Sequence, residues 1–264
     1  LVQIEGFAYW SLFVAAFLGV AIWESVAAKR ALTVSAGRRW GSHAMLYAAG
    51  MVIVALVLRL NPVFTASLVA QSRFGVLNKP WIPLALRFVS AVLILDLVKY
   101  AVHRAHHAVP ILWRVHLVHH SDPDFDVSTA GRAHPIEVLL TQGATLTAIA
   151  VLTPPVGAVL AAELLACFQS FFEHANASLP PRIEAAVRPF LVTPDLHRIH
   201  HSKEVRDQSR NLGEIFPWWD KLFRSYSVGS KTTEWVPGLE GFQGDTTMDL
   251  RLMLTQPLRM PPAS

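Results

Sequence analysis

Apolar runs long enough to cross a bilayer constrain this chain more than anything else in it. A spanning helix needs about 20 predominantly apolar residues, and five stretches come close: 7–28, 43–60, 81–102, 136–152 and 156–172. The first carries Glu24 near its inner end and is too long for a signal-peptide core. The third is interrupted by Arg87, Asp96 and Lys99. The fourth is short, and the tight turn Thr153-Pro154-Pro155 joins it to the fifth, so those two form a hairpin that enters part or all of the way. Composition agrees, with 52% hydrophobic and only 16% charged residues against the roughly 25% charged of soluble domains. Disorder is excluded on the same ground. No heptads, internal repeats or strand-like alternation appear, so the expected fold is all-α.

Charge bias sets the expected sidedness. Lys29, Arg30, Arg38 and Arg39 lie in the 29–42 loop, which the positive-inside rule places in the cytoplasm. Leu1 and the 61–80 connection, with Arg73 and Lys79, then fall outside. By parity the third run emerges inside at residue 103, and the 136–172 hairpin leaves from that face and returns to it. The net charge of +4 fits such basic loops. No Lys/Arg run is interleaved with aromatics, so a nucleic-acid partner is not expected. The sequence opens at Leu1 with no initiator Met, so the natural start is expected upstream.

The polar segments hold an unusual concentration of imidazole. Of 12 histidines, all but His43 lie between His103 and His201. They form His103-x3-His107, His116-x2-His119-His120 and His197-x2-His200-His201. Residues three and four apart share a helix face, so each cluster aims two or three imidazoles one way, as chelation requires. Eight clustered imidazoles exceed the six positions of an octahedral ion, which implies two metals with about four nitrogens each. His174 and His134 stand where apolar runs meet the polar region and are further candidate ligands, His134 with the alternative role of anchoring a helix start. His43 and His106 read as ordinary solvated or hydrogen-bonded side chains. The single cysteine, Cys167, excludes an internal disulfide, a thiolate zinc site and an iron–sulfur cluster. Neither a His-Glu-x-x-His zinc motif nor a nucleophile elbow nor a P-loop is present.

Taken in order, His103-x3-His107, Trp113-Arg-Val-His116-x2-His119-His120, His134-Pro-x-Glu137, His174-x-Asn176 and Thr193-Pro-x2-His197-x2-His200-His201 resemble the motif series of the fatty acid hydroxylase / sterol desaturase superfamily. Asn211-Leu-Gly213 and Trp219-Asp220-Lys-Leu222-Phe223 resemble its tail motif, so the likeness covers residues 92–226. The chain departs from the pattern at Arg224-Ser225, where Gly-Thr is usual, and carries one histidine, His174, where some hydroxylases have a pair. The first 80 residues lie outside the resemblance.

The resemblance implies an integral membrane oxidoreductase with two non-haem iron ions that uses O2 to hydroxylate or desaturate a lipid C–H bond. It also implies an electron-donor protein, whether ferredoxin, cytochrome or reductase, and a fatty acyl or sterol-like membrane lipid as substrate. Zinc is redox-inert and does not suit that chemistry.

The expected architecture is a set of integral membrane helical hairpins under a cytoplasmic histidine-rich dimetal cap. It forms one unit over 1–264: a membrane hairpin in 1–80, the catalytic region in 81–226 and a tail in 227–264. Expected ligands are His103, His107, His116, His119, His120, His174, His197, His200 and His201, with His134 in addition. Asp96, seven residues before His103 on its helical face, is expected to support a ligand or to pair with Lys99. Glu137, Asn176 and Asp195 are the other supporting candidates. Phe168, Phe171 and Phe172 either line a substrate route or simply face lipid, and Trp218 and Trp219 belong to an interfacial belt. The competing class is a non-enzymatic membrane protein, either a metal transporter or a haem-carrying electron-transfer protein. Transporters place polar groups near the midplane, and a bis-histidine haem needs fewer and more dispersed histidines.

Overall fold

The computed structural model describes residues 2–72, 74–229 and 235–259, with side chains from residue 6 onward. Leu1, Arg73 of the second connection, and the tail stretches 230–234 and 260–264 lie outside the described residues. No strand occurs among those described, and an isolated bridge joins Ser202 to Pro237.

Two long helices, α1 (Val2–Ala27) and α2 (Ala36–Val57), form the first hairpin. Arg59 in a left-handed conformation (φ 55°) ends the apolar run, and Asn61 caps a short helix, α3 (Pro62–Val69), through Phe64 N–H at 2.7 Å. The 61–80 connection therefore holds a short helix that folds back against the later hairpin. α4 (Leu84–Ala108) and α5 (Pro110–His120) follow, meeting at Val109, where Pro110 starts the second helix. The second hairpin is α6 (Pro135–Leu152) and α7 (Val156–Glu173). Short helices complete the cap: α8 (Pro181–Val187), α9 (Pro194–His200), α10 (Val205–Gln208), α11 (Trp218–Leu222) and α12 (Leu250–Arg259).

Among the described residues, four stretches are long and apolar enough to cross a membrane: Gly6–Ala27, Ala36–Val69, Pro135–Leu152 and Val156–Glu173. α6 and α7, at 18 residues each and about 1.5 Å per residue, reach close to the roughly 30 Å hydrocarbon thickness. The expected third span is not among the four. Its helix, α4, is the internal member of the bundle, packed on α5, α6 and α7. There two of the charged groups that lower its hydropathy are met by protein: Asp96 accepts from the Ile215 and Phe216 N–H groups and from Trp219 Nε1, and Lys99 lies between Glu163 and Glu214. Outward, α1 exposes Phe7, Val14, Leu18, Ile22 and Val26, as a lipid-facing helix should.

The α6–α7 turn depends on a glycine. Thr153 is left-handed (φ 48°) and its hydroxyl donates to Phe74 O at 3.1 Å. Gly75 (φ 73°) approaches so closely that a Cβ there would stand 2.0 Å from Thr153 Oγ1.

At the opposite end, the last residues of α1, α4 and α7 meet the first residues of α2 and α6, and loops stitch these ends together. Glu24 Oε1 accepts from Val127 N at 2.8 Å and from Asn176 N at 2.6 Å. Asp124 receives the Thr33 and Val34 N–H groups at 2.9 Å. Fully buried Arg39 donates to Asp122, Asp126 and Thr129. The histidine-bearing segments all gather at this one end of the bundle.

Candidate metal centre

The site is assembled from four elements. α4 contributes His103 and His107, α5 contributes His116, His119 and His120, the residue capping α7 is His174, and α9 with its C-cap supplies His197, His200 and His201. Their ligand atoms fall into two groups. His103, His107, His116, His120 and His200 form one, and His119, His174, His197 and His201 form the other, with the atoms of each group within 4.8 Å of one another.

Two of the three sequence clusters, 116–120 and 197–201, are thus split between the two groups, while His103 and His107 stay together in the first. Neighbouring residues on a helix point about 100° apart, so His120 follows His116 into the first group while His119 turns to the second. His197 and His201 likewise separate from His200. α5 and α9 both lie across the centre and contribute to both groups.

Several contacts within the groups have the spacing of nitrogens around one ion. An ion about 2.1 Å from each imidazole nitrogen puts adjacent nitrogens about 3.0–3.4 Å apart. The Nε2 atoms of His103 and His116 are 3.1 Å apart, those of His116 and His120 3.2 Å. In the second group the separations are 3.3 Å for His119–His174, 3.1 Å for His174–His197 and 3.2 Å for His197–His201. His107 Nε2 and His200 Nε2 are buried with no hydrogen-bond partner in the protein, a costly arrangement that a metal would relieve. The donor set fits ions that accept imidazole, including iron.

Tautomers follow from the other ring nitrogen. Nδ1 of His103 donates to Leu212 O (2.9 Å), that of His119 to Arg132 O (3.3 Å), that of His174 to Ser170 O (2.7 Å) and that of His200 to Arg210 O (3.0 Å). A carbonyl can only accept, so Nδ1 carries the proton and Nε2 keeps a free lone pair. His116 Nδ1 lies 2.7 Å from Glu137 Oε1, the carboxylate–histidine pairing that orients metal ligands. Burial pushes the His116 imidazole down to about 3 and His174 down to about 4. It also drives His119, His120, His197, His200 and His201 well below their usual range. All seven are therefore neutral near pH 7 and available as ligands.

The tail motif acts at this point. Asp220 receives the Leu212 and Gly213 N–H groups at 2.8 Å each, which sets the turn that aims Leu212 O at His103. A Cβ on Gly213 would stand 2.8 Å from Phe216 O, so only glycine fits there.

Other expected residues fall elsewhere. His134 is outside both groups: it caps α6, its Nδ1 accepting from Ile136 N at 3.2 Å and its Nε2 donating to Leu254 O at 3.3 Å. His106 is buried, stacked 5.5 Å from His116, and belongs to neither group. Asp96 holds the 215–219 segment and is not hydrogen-bonded to an imidazole or to Lys99. Asn176 clasps Arg30 through both its N–H and its carbonyl, at 3.1 and 2.8 Å. Asp195 binds Lys29, Ser178 and Arg198. These last two brace the loops around the site instead of touching its ligands: Asn176 lies past the end of α7, and Asp195 lies in the first turn of α9, before His197. Trp219 points inward to Asp96, while Trp218 is partly exposed and donates to Pro189 O. Sequence reasoning passed over Glu173, whose Oε1 is 3.9 Å from both His174 Nδ1 and His197 Nε2. A carboxylate directly before His174 at the end of an apolar helix was the available signal.

Fold and site together define a helical membrane protein with a two-group polyhistidine centre at one end of its bundle. The sequence model of the fatty acid hydroxylase family matches residues 88–225, more than half of the chain, and the chain belongs to that family. It is 28% identical over 203 residues to the ornithine lipid hydroxylase OlsE of Rhizobium tropici, covering 76% of this chain and 60% of that protein. It is 30% identical over 166 residues to human alkylglycerol monooxygenase, covering 62% of this chain and 36% of that protein. The Danio rerio alkylglycerol monooxygenase is 29% identical over 159 residues, 60% of this chain and 34% of its own. The chain thus spans between about a third and 60% of the length of these relatives. No solved structure matches it.

Proposed function

We propose that the protein is a membrane-embedded, non-haem diiron hydroxylase of a membrane lipid. The observation that carries this reading is the convergence of nine imidazoles into one group of five and one of four. His103, His107, His116, His120 and His200 would hold one ion, and His119, His174, His197 and His201 the other. Iron bound there supplies the redox chemistry for R–H + O2 + 2e⁻ + 2H⁺ → R–OH + H2O.

The chain's own residues set up that reaction. Glu137 fixes the His116 ring, and four backbone carbonyls fix His103, His119, His174 and His200. A cavity of about 220 Å³ touches both groups, through His103 and His116 on one side and His119, His174 and His197 on the other. It is where a C–H bond would be presented. The names of the relatives, hydroxylase and monooxygenase, favour oxygen insertion over desaturation.

The electrons come from a donor protein, a ferredoxin, cytochrome or reductase, docking on the cap. The cap faces the cytoplasm, on the strength of the basic 29–42 loop. Labelling of engineered cysteines beside His120 by a membrane-impermeant reagent on intact cells would overturn that orientation.

The functional test is lipid profiling of cells expressing the protein under ¹⁸O2. A lipid that gains one ¹⁸O in wild type and not in His119→Ala or His200→Ala supports the reading. Wild-type protein that stays fully active after complete iron removal contradicts it.

A further inference from the structure

O2 activated with no C–H bond in place attacks the protein around it, so on the diiron reading the oxidisable side chains near the imidazoles matter. The cavity of about 220 Å³ holds none in its wall. Besides imidazoles it is made of Lys99, carboxylates, Gln142 and small aliphatic or hydroxyl side chains, with no Tyr, Trp, Met or Cys. Among the described residues, two rings other than histidine pack against ligand imidazoles, Trp113 and Phe125, and neither lines that cavity.

Trp113 stands on α5 three residues before His116 and seven before His120, the spacing of one helix face. Its ring centroid is 5.0 Å from that of His107, 5.3 Å from His120 and 6.1 Å from His116. It thus packs against three of the five imidazoles of one group. Trp113 is half-buried, so its indole joins these ligands to the protein surface. The other group is closed off. Phe125 lies 5.1 Å from His201 and 5.6 Å from His174, and half-buried Trp235 sits beyond it at 5.7 Å. A phenyl ring resists oxidation, so Phe125 insulates that group from Trp235. The next oxidisable side chains, Tyr9, Tyr47 and Cys167, line a neighbouring cavity that shares Ser170 with the first.

We propose that Trp113 is an exit for stranded oxidising equivalents, a protective function that rests on the diiron reading. An indole yields an electron only to a strong oxidant, so the route serves misfired turnover and not the supply of electrons from the donor protein. The donor gives two electrons, as in hydroxylation, and two more pass through Trp113, so that O2 + 4e⁻ + 4H⁺ → 2H2O. At each passage the indole gives its electron to the centre and its Nε1 proton to water. The neutral radical then regains one electron and one proton from a thiol at the surface, and two thiols leave as a disulfide. The ligand imidazoles are spared.

The test uses the iron-loaded full chain in detergent, reduced with dithionite, freed of excess reductant and mixed with O2 in the absence of lipid. Electron paramagnetic resonance of freeze-quenched samples should show a tryptophan radical in wild type and in Trp235→Phe. Trp113→Tyr should show a tyrosine radical instead, and Trp113→Phe neither. After repeated cycles with a thiol present, peptide mapping should find His107 and His120 intact in wild type and Trp113→Tyr. In Trp113→Phe they should be oxidised, with loss of iron. A packing role alone does not separate Phe from Tyr at this position, and thermal melts check that the two variants are equally folded. If Trp113→Phe does not fold, the tyrosine radical of Trp113→Tyr decides.

A radical on Tyr9 or Tyr47 in wild type, or equal ligand damage in wild type and Trp113→Phe, overturns the inference and spares the diiron reading. Reduced wild type that consumes no O2, or damage that zinc-loaded protein shows equally, refutes both.

Discussion

Replacing Arg39 with Met should destabilise the protein severely although Arg39 touches no ligand. Its side chain is fully buried and donates from Nε and both Nη atoms to Asp122, Asp126 and Thr129. Removal strands two buried carboxylates, Asp122 and Asp126, which keep only Thr129, Ser128 and the Asp124 N–H as donors. Breaking one side of a buried ion pair costs about 3–5 kcal/mol. At about 2–4 °C per kcal/mol for a chain of this size, the midpoint should fall by about 6–20 °C. Burial raises the Asp122 carboxyl, but Arg39, with His43 and Arg132, overcomes it and holds the group well below the usual carboxylate range. A carboxylate depressed in the fold contributes stability that is complete above its unfolded pKa, about 3.9, and lost as pH falls below it. Wild type should therefore forfeit this contribution only in strong acid, and Arg39→Met already at pH 7. Because Asp122 and Asp126 lie in the segment that follows His119 and His120, metal should leave in the same transition. Thermal melts in detergent, followed by helical circular dichroism and by metal release, measure both. Arg39→Met/Asp122→Asn/Asp126→Asn should recover much of the loss, since neutral partners no longer demand a counter-charge. A change of less than about 1 kcal/mol in Arg39→Met would refute the reasoning.

Three further outcomes are expected. His106→Ala should retain metal and most activity, and His107→Ala should lose both, because only His107 joins the five-imidazole group; metal analysis of the two variants decides, and the reverse result would mean the register is wrong. Glu137→Gln should weaken metal affinity about 10–100-fold by loosening the 2.7 Å contact to His116, which competition with a chelator reads directly. Metal-free protein should lose stability on acidification from about pH 6.5 down to about 4: His116 (about 3) and His174 (about 4) stay neutral in the fold while their unfolded counterparts take up protons. Each such imidazole adds a slope of about 1.4 kcal/mol per pH unit, and melts of the metal-free protein that are flat over that window would contradict it.

What the sequence made legible was local. Helical spacing brought His116 and His120, or His197 and His201, onto one face, and the position of His174 at the end of an apolar run placed it at the right depth. How the 116–120 and 197–201 clusters divide between two groups was not legible, because it depends on how α5 and α9 lie across the centre. The pairing of Arg39 with Asp122, 83 positions away, and of Asp96 with Ile215, 119 positions away, depends on packing that no spacing rule encodes. Asp96 looked like a ligand partner because helical phase aligned it with His103, yet the tail segment claims its carboxylate first. His134 shows the converse: a polar residue before Pro135 at a helix start is a capping position, and that local role outcompetes ligation. α4 is long and largely apolar, and its Asp96 and Lys99 are accommodated because the helix packs on α5, α6 and α7 and meets their charges with protein groups.

The most direct test is the metal stoichiometry of detergent-purified full-length protein, by elemental analysis joined to Mössbauer spectroscopy of ⁵⁷Fe-loaded samples. The expected result is two irons per chain in wild type, with iron lost in both His200→Ala, from the five-imidazole group, and His119→Ala, from the four-imidazole group. A fully active protein holding a single ion, or holding zinc in place of iron, would contradict it.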